Sequence, residues 1–139
     1  MPSDRDLVAG AAQLVNLLYR RLAPVLEKAG VTPQQWGVLT VIGSAAAPMT
    51  LAAVARELAV TKQNMTGMVD RLEQMGLIER TEDPADLRSS RVQLTRRGRN
   101  VIDKARPAYA EWLRTIAPES DLRAARRAIS RLIARLEES

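Results

Sequence analysis

The sequence predicts a mainly α-helical protein of the winged helix-turn-helix class, with about six helices, a two-stranded β-wing and terminal helices that form a dimerisation region. Three observations carry this. Apolar residues recur at three- and four-residue steps along much of the chain. Two short helical patterns meet at a turn near Ala59-Val60, with small and apolar residues where the two must approach closely. Two short strand-like stretches then follow, joined by a polar loop that contains Pro84.

Taken in order, Leu7, Ala11, Leu14, Leu18, Leu22 and Val25 form one face of a first helix. Ser3, Asp4 and Asp6 supply its start, Pro24 breaks or kinks its last turn, and Gly30 ends it. Thr32-Pro33-Gln34-Gln35 opens the second helix: Thr32 caps, Pro33 suits the first helical position, and Gln35 reaches back in a capping box. That helix carries Trp36, Leu39, Val41 and Ile42 and fades between Gly43 and Pro48. Thr50 opens the third, with Leu51, Val54, Ala55 and Leu58 inward. Thr61 opens the fourth, whose inner face is Met65, Met68, Val69, Leu72 and Met75 and which Gly76 ends. The methionines read as core. Leu77 to Glu82 and Val92 to Thr95 read as the strands of a hairpin with Pro84 to Ser90 as its loop. Thr95 caps a fifth helix towards Ile116. Pro107 lies inside it, and an interior proline costs about 3 kcal/mol, so a kink or two shorter helices are expected. Leu122, Ala125, Ile129, Leu132, Ile133 and Leu136 form the face of a last helix. The apolar faces at both chain ends exceed what a small core can use, which suggests pairing with a second copy. The other reading is a single five- or six-helix monomer.

Composition narrows the function. The 139 residues suffice for one domain with a real core. Apolar residues make up 46%, which argues against disorder, and no apolar run approaches the ~20 residues that cross a bilayer. MPSDRDL has acids where a signal peptide would be basic, so a cytoplasmic location is expected. Cysteine is absent, which excludes disulfides, thiolate zinc sites and thiol redox sensing. Histidine is absent too, removing the commonest general base and metal ligand. No phosphate-binding glycine loop and no clustered carboxylates stand in their place. We therefore expect no enzyme, no catalytic residue, no metal and no cofactor.

Charge is unevenly placed. Residues 1–86 carry 8 basic and 10 acidic side chains, whereas residues 87–139 carry 13 and 6. Arginine dominates the second part, and its planar guanidinium suits phosphate and base edges; a solvated basic helix face is the plainer alternative. On the fourth helix Thr61, Lys62, Gln63, Asn64, Thr66, Asp70 and Arg71 lie away from the apolar stripe. Gln and Asn can bond an adenine edge, Lys can reach guanine or phosphate, and the threonine hydroxyls suit phosphate. The free N–H groups at the helix start favour phosphate as well. Gly67 costs about 1 kcal/mol against alanine in mid-helix; close approach to a groove or close helix packing would each explain it. In the hairpin loop Arg88 is placed to enter a minor groove, with Asp86 holding its guanidinium by a charge-assisted pair. Ser89, Ser90 and Arg91 are candidates for phosphate contacts. Arg96, Arg97 and Arg99 face phosphates or are solvated at a helix start, and we expect two of the three to be solvated.

The stretch TKQNMTGMVDRLEQMGLIERTEDPADLRSSRVQLTRRG resembles the MarR-type winged-helix regulators. Val69-Asp70-Arg71-Leu72-Glu73, Gly76-Leu77-Ile78-Glu79-Arg80, Asp83-Pro84-Ala85-Asp86-Leu87-Arg88 and Val92-Gln93-Leu94-Thr95-Arg96-Arg97-Gly98 match that pattern in order and at fitting spacing. The resemblance implies three parts of one domain: an N-terminal dimerisation helix at 1–31, a winged helix-turn-helix DNA-binding region at 32–97, and C-terminal dimerisation helices at 98–139. It implies a homodimer on a pseudo-palindromic double-stranded operator, usually repressing and often released by a small aromatic or phenolic ligand. It also implies that Arg88 is the wing-tip arginine and Asp86 its partner. Leu87 departs from the pattern, where the family often has arginine. The missing cysteine removes the thiol-sensing branch, and the missing histidine argues against the zinc-responsive one. Tyr19, Arg20 and Trp36 are candidate ligand residues: a phenol partner, a carboxylate partner and a stacking surface. The competing reading makes Tyr19 and Trp36 core aromatics. Two other functions remain as competitors, a ligand-independent architectural regulator and a winged-helix module that binds protein.

Overall fold

Residues 6–83 and 85–138 are described by the structure, a computed structural model, with all their side chains except those of 83 and 86–89. Helix α1 (Leu7–Leu26) starts at Asp6, whose carboxylate accepts from the N–H groups of Val8 (3.0 Å) and Ala9 (3.4 Å). Ser3 and Asp4 lie outside the described residues. Pro24 sits inside the last turn of α1 without ending it; the chain tightens into a 3-10 turn (Glu27–Ala29) and reverses at Gly30, φ 77°. Only the C-terminal part of α1 reaches the core, through Leu22 and Leu26.

Helix α2 (Pro33–Ser44) has the expected capping box, with Gln35 N–H on Thr32 Oγ1 at 3.1 Å and Thr32 N–H on Gln35 Oε1 at 3.0 Å. It buries Trp36, Val38, Leu39 and Ile42, because α1, α3, α5 and the sheet all pack on it. Helices α3 (Leu51–Glu57) and α4 (Lys62–Gln74) form the helix-turn-helix. Ala59 makes the turn at φ 55°, with Val60 N–H on Ala55 O (3.0 Å) and Ala59 N–H on Arg56 O (3.1 Å). That is the hydrogen-bond pattern of a left-handed helix stop, here without glycine. Met65, Val69 and Leu72 are fully buried, and Met68 and Met75 pack at the edge of the same core.

The sheet departs from expectation in two ways. It has three strands, not two: β1 (Met49–Thr50), β2 (Ile78–Asp83) and β3 (Asp86–Leu94), all antiparallel in the order β1-β3-β2. β1 was invisible in the sequence because two residues show no period; it exists through its pairing, Met49 with Val92 and Thr50 with Arg91. The wing is also strand almost to its tip. Residues expected in a loop from Pro84 to Ser90 belong to β3 from Asp86 onward, with Ser90 opposite Glu82 and Asp86 opposite Asp83. The sequence from Asp86 to Ser90 has no alternation of apolar and polar residues, so this pairing left no pattern to read.

Helix α5 (Arg96–Ile116) contains Pro107 and is not divided by it. Pro107 and Asp103 are exposed, so water can satisfy the carbonyl that loses its partner. The junction of wing and α5 is built tightly. Thr95 N–H donates to Leu77 O (3.0 Å), Thr95 Oγ1 donates to Gly76 O (2.6 Å), and Gly98 N–H donates back to Thr95 Oγ1 (3.0 Å). A Cβ on Gly98 would stand 2.0 Å from Leu77 O, which is why a glycine follows the cap by three residues. Helix α6 (Glu119–Glu137) buries none of its residues. Among the described residues, no helix is long and apolar enough to cross a membrane.

Candidate nucleic-acid interface

The site begins with α4. Its buried stripe of Met65, Val69 and Leu72 fixes its rotation, and the opposite face turns Lys62, Gln63, Asn64, Gly67 and Arg71 to solvent. Thr61 is the cap: its Oγ1 accepts from Asn64 N–H at 3.1 Å, which leaves the hydroxyl proton available to an outside acceptor such as a phosphate oxygen. Thr66 is half-buried, and its hydroxyl donates to Lys62 O at 2.9 Å. Its proton is thus engaged in the helix, and an outside group meets an acceptor there. Among the described residues, and apart from the neighbouring residues and backbone of α4 itself, nothing comes within 4 Å of where a Cβ on Gly67 would lie. Close packing within the chain therefore does not account for this glycine. Gln63, Asn64, Gly67 and Arg71 share an open groove with Gln34 and Gln35 from the start of α2.

An arginine that the sequence reading did not single out holds the wing to this helix. The Arg80 guanidinium, on β2, bonds Asp70 and approaches Glu73 at 3.5 Å, both on α4. Asp70 and Glu73 lie three residues apart and so share a face. That spacing, with an arginine on the following strand, is the signal that could have revealed the clasp. Arg80 Nε is buried and has no hydrogen-bond partner among the described residues. Next to the clasp, Gln93 Nε2 donates to Glu79 Oε1 across the β2–β3 pair.

On the wing, the side chains of Asp86, Arg88 and Ser89 lie outside the described residues; their backbone belongs to β3. Ser90 and Arg91 are half-buried, and Arg91 Nη1 donates to Pro48 O at 3.2 Å, tying β3 to the segment before β1. Arg96, Arg97 and Arg99 are all exposed in the first turn of α5.

The three candidate ligand residues do not come together as one cavity. Trp36 is 5% exposed, its ring 5.3 Å from that of Tyr109, which lies 6.2 Å from Trp112. Tyr19 is 41% exposed and Arg20 is exposed, both on α1. A cavity that the sequence did not announce lies instead between Val25, Lys28 and Ala29 on one side and α5 residues from Arg97 to Ala108 on the other. Among the described residues, no group of three or more acidic side chains is placed to hold a metal ion.

A capped polar helix, a helix stop before it and a strand hairpin clasped to it define a winged helix-turn-helix protein. The sequence profile of the MarR family matches residues 29–89. Over 108 residues the chain is 35% identical to the transcriptional activatory protein BadR of Rhodopseudomonas palustris, covering 73% of this chain and 62% of BadR. It is 32% identical over 114 residues to the HTH-type transcriptional regulator YkoM of Bacillus subtilis, covering 77% of this chain and 73% of YkoM. Among solved structures it is similar to the transcriptional repressor CouR bound to a 23-mer DNA duplex, at 26% identity and a TM-score of 0.78 over 93% of this chain and 92% of that one. CouR of Rhodococcus jostii RHA1 has also been solved with p-coumaroyl-CoA, at 21% identity and a TM-score of 0.77, covering 94% and 93% of the two chains. The chain belongs to the MarR family of transcriptional regulators.

Proposed function

We propose that this protein is a sequence-specific DNA-binding regulator that works as a homodimer on a pseudo-palindromic operator, represses, and is released by a small aromatic or phenolic ligand. The observation that carries DNA reading is the outer face of α4. Its polar side chains and Gly67 stand open to solvent while its inner face is locked in the core. In this reading Lys62, Gln63, Asn64 and Arg71 enter a major groove, Thr61 and the helix start meet phosphate, and the wing carries Arg88 to the neighbouring minor groove.

Dimerisation is supported by apolar surface that the single chain leaves uncovered. On α1, Leu7, Val8, Leu14, Val15 and Leu17 are exposed, and on α6, Ile129, Leu132, Ile133 and Leu136 are. Contiguous apolar surface of this kind marks an interface, and a two-fold pair would present two winged helices to the two halves of an operator. Repression and ligand release follow CouR, which is a repressor and has been solved with an aromatic thioester. BadR is an activatory protein, so activation is the second reading.

The test is a fluorescence titration of DNA from upstream of the protein's own gene against a scrambled duplex, at two salt concentrations. One dimer per site, tighter binding to the upstream DNA and affinity that falls with salt are expected. Equal, weak binding to both would remove the operator reading. A promoter fusion then separates the signs: expression rising when the gene is deleted means repression, and falling expression means activation.

A further inference from the structure

Gly67 stands at the middle of the outer face of α4, one turn after Gln63 and one turn before Arg71. The usual structural reasons for a glycine do not apply to it. Its φ is not positive; among the described glycines only Gly30 and Gly76 are left-handed. Apart from its chain neighbours and the backbone of α4, no atom of the described residues lies within 4 Å of the place its Cβ would take. The helix passes through it unbroken from Lys62 to Gln74. Alanine would favour the helix at this position, so the glycine weakens the free protein and gains it no contact. Gly37 on α2 is open in the same way, but it is half-buried and does not line the groove that Gly67 shares with Gln63, Asn64 and Arg71.

That groove is also lined by two apolar side chains, Val60 and Met68. Val60 is 37% exposed, and among residues 51–76 it is the large apolar side chain left open to solvent. It is held in place there, because its N–H donates to Ala55 O at 3.0 Å in the helix stop before α4. The reading face therefore carries polar groups at Gln63, Asn64 and Arg71 and an apolar hollow at Gly67. An α-helix with its side chains is about 10–12 Å across, and the major groove of B-DNA is about 12 Å wide. Depth of entry is then set by the side chains on the leading face. Omitting a Cβ at the centre of that face brings the backbone about 1.5 Å closer to the bases. Among base edges in the major groove, the group that suits an apolar hollow is the C5-methyl of thymine.

We propose that Gly67 is a specificity-determining residue: its missing side chain seats α4 deeply in each half-site and admits the methyl group of one thymine, which packs against Gly67 Cα, Val60 and Met68. This rests on the reading that α4 enters a major groove. Gln63, Asn64 and Arg71 then read or hold the neighbouring positions by hydrogen bonds, and the methyl contact adds discrimination between thymine and cytosine at the centre.

The test starts by selecting bound duplexes from a random pool with the full-length protein. Each thymine of the selected site is then replaced singly by deoxyuridine, which removes the methyl and leaves the hydrogen-bonding edge intact. One thymine per half-site is expected at which this weakens binding about fourfold, the value of one buried methyl. Gly67→Ala should raise the urea midpoint, bind the selected duplex at least tenfold more weakly, and bind the thymine and deoxyuridine duplexes equally. Val60→Ala should shrink the thymine preference and leave the salt dependence unchanged. The raised midpoint separates the loss of binding from any loss of fold. Wild-type affinity in Gly67→Ala would overturn the proposal and leave α4 as the reading helix. So would a thymine preference that persists in both variants, or its absence from the wild type. A pool in which no sequence is enriched would overturn sequence-specific binding itself, and this inference with it.

Discussion

Gly98 shows how one residue can be set by a single contact. Its N–H closes the Thr95 cap, and its missing Cβ makes room for Leu77 O, 2.0 Å from where that carbon would lie. Because the obstacle is backbone, no side chain can swing aside. Gly98→Ala is expected to destabilise the fold by on the order of 3 kcal/mol, in the range of overpacked sites, measured by urea unfolding; a midpoint within error of the wild type would contradict the packing argument. Arg88 is a functional residue rather than a structural one. Its place at the wing, and the family resemblance, lead us to expect that Arg88→Ala weakens specific operator binding by about 1–3 kcal/mol with unchanged stability. Equal operator affinity for the two proteins would sink the wing assignment. Gly98 was visible in the sequence as part of a motif, but its reason was not: Leu77 is 21 positions away, and only the fold brings its carbonyl there.

At the scale of elements, helix starts and the two strands of the hairpin were legible, while β1 and the outer wing were not. Thr32, Thr50, Thr61 and Thr95 each cap the helix they precede, because a cap is decided by neighbours within three residues. β1 and the outer wing depend on partners more than forty residues away or on pairing without an apolar face. Pro107 erred in the opposite direction. A local rule predicted a kink or two shorter helices, and the helix is not divided: Pro107 is exposed, and Ile102 and Ala105 anchor the first half of the helix in the core. Pro107→Ala is accordingly expected to stabilise the protein, by up to about 3 kcal/mol, seen as a higher thermal midpoint with no change in operator affinity. A lower midpoint would mean that the ring itself makes contacts worth more than the lost hydrogen bond.

Across the whole molecule, the core joins α1, α2, α3, α4, the sheet and α5 and stops there. Helix α6 stays outside it, with no buried residue and with Ile129, Leu132, Ile133 and Leu136 exposed on one face. Such a helix is marginal in water unless something covers it. Deleting residues 122–139 should therefore convert a dimer into monomers by sedimentation, while the winged helix keeps its secondary structure. A truncated chain that still sediments as a dimer would move the interface to α1 alone. The candidate DNA surface was read from the sequence one helix at a time. The clasp from Arg80 to Asp70 and Glu73, which couples wing to helix, needed three dimensions.

By itself the sequence determined the helices, their caps, the helix-turn-helix and the polar face of α4, since each depends on residues a turn or so apart. Tertiary structure decided what depends on distant partners: the third strand, the length of the wing, the survival of α5 past Pro107, and the burial of Trp36 against Tyr109. It also decided the cavity. Lys28 in the 3-10 turn after α1 and Arg97 and Lys104 on α5 are separated by about seventy positions, and no local pattern links them. Packing α1 on α5 sets their charges around one space.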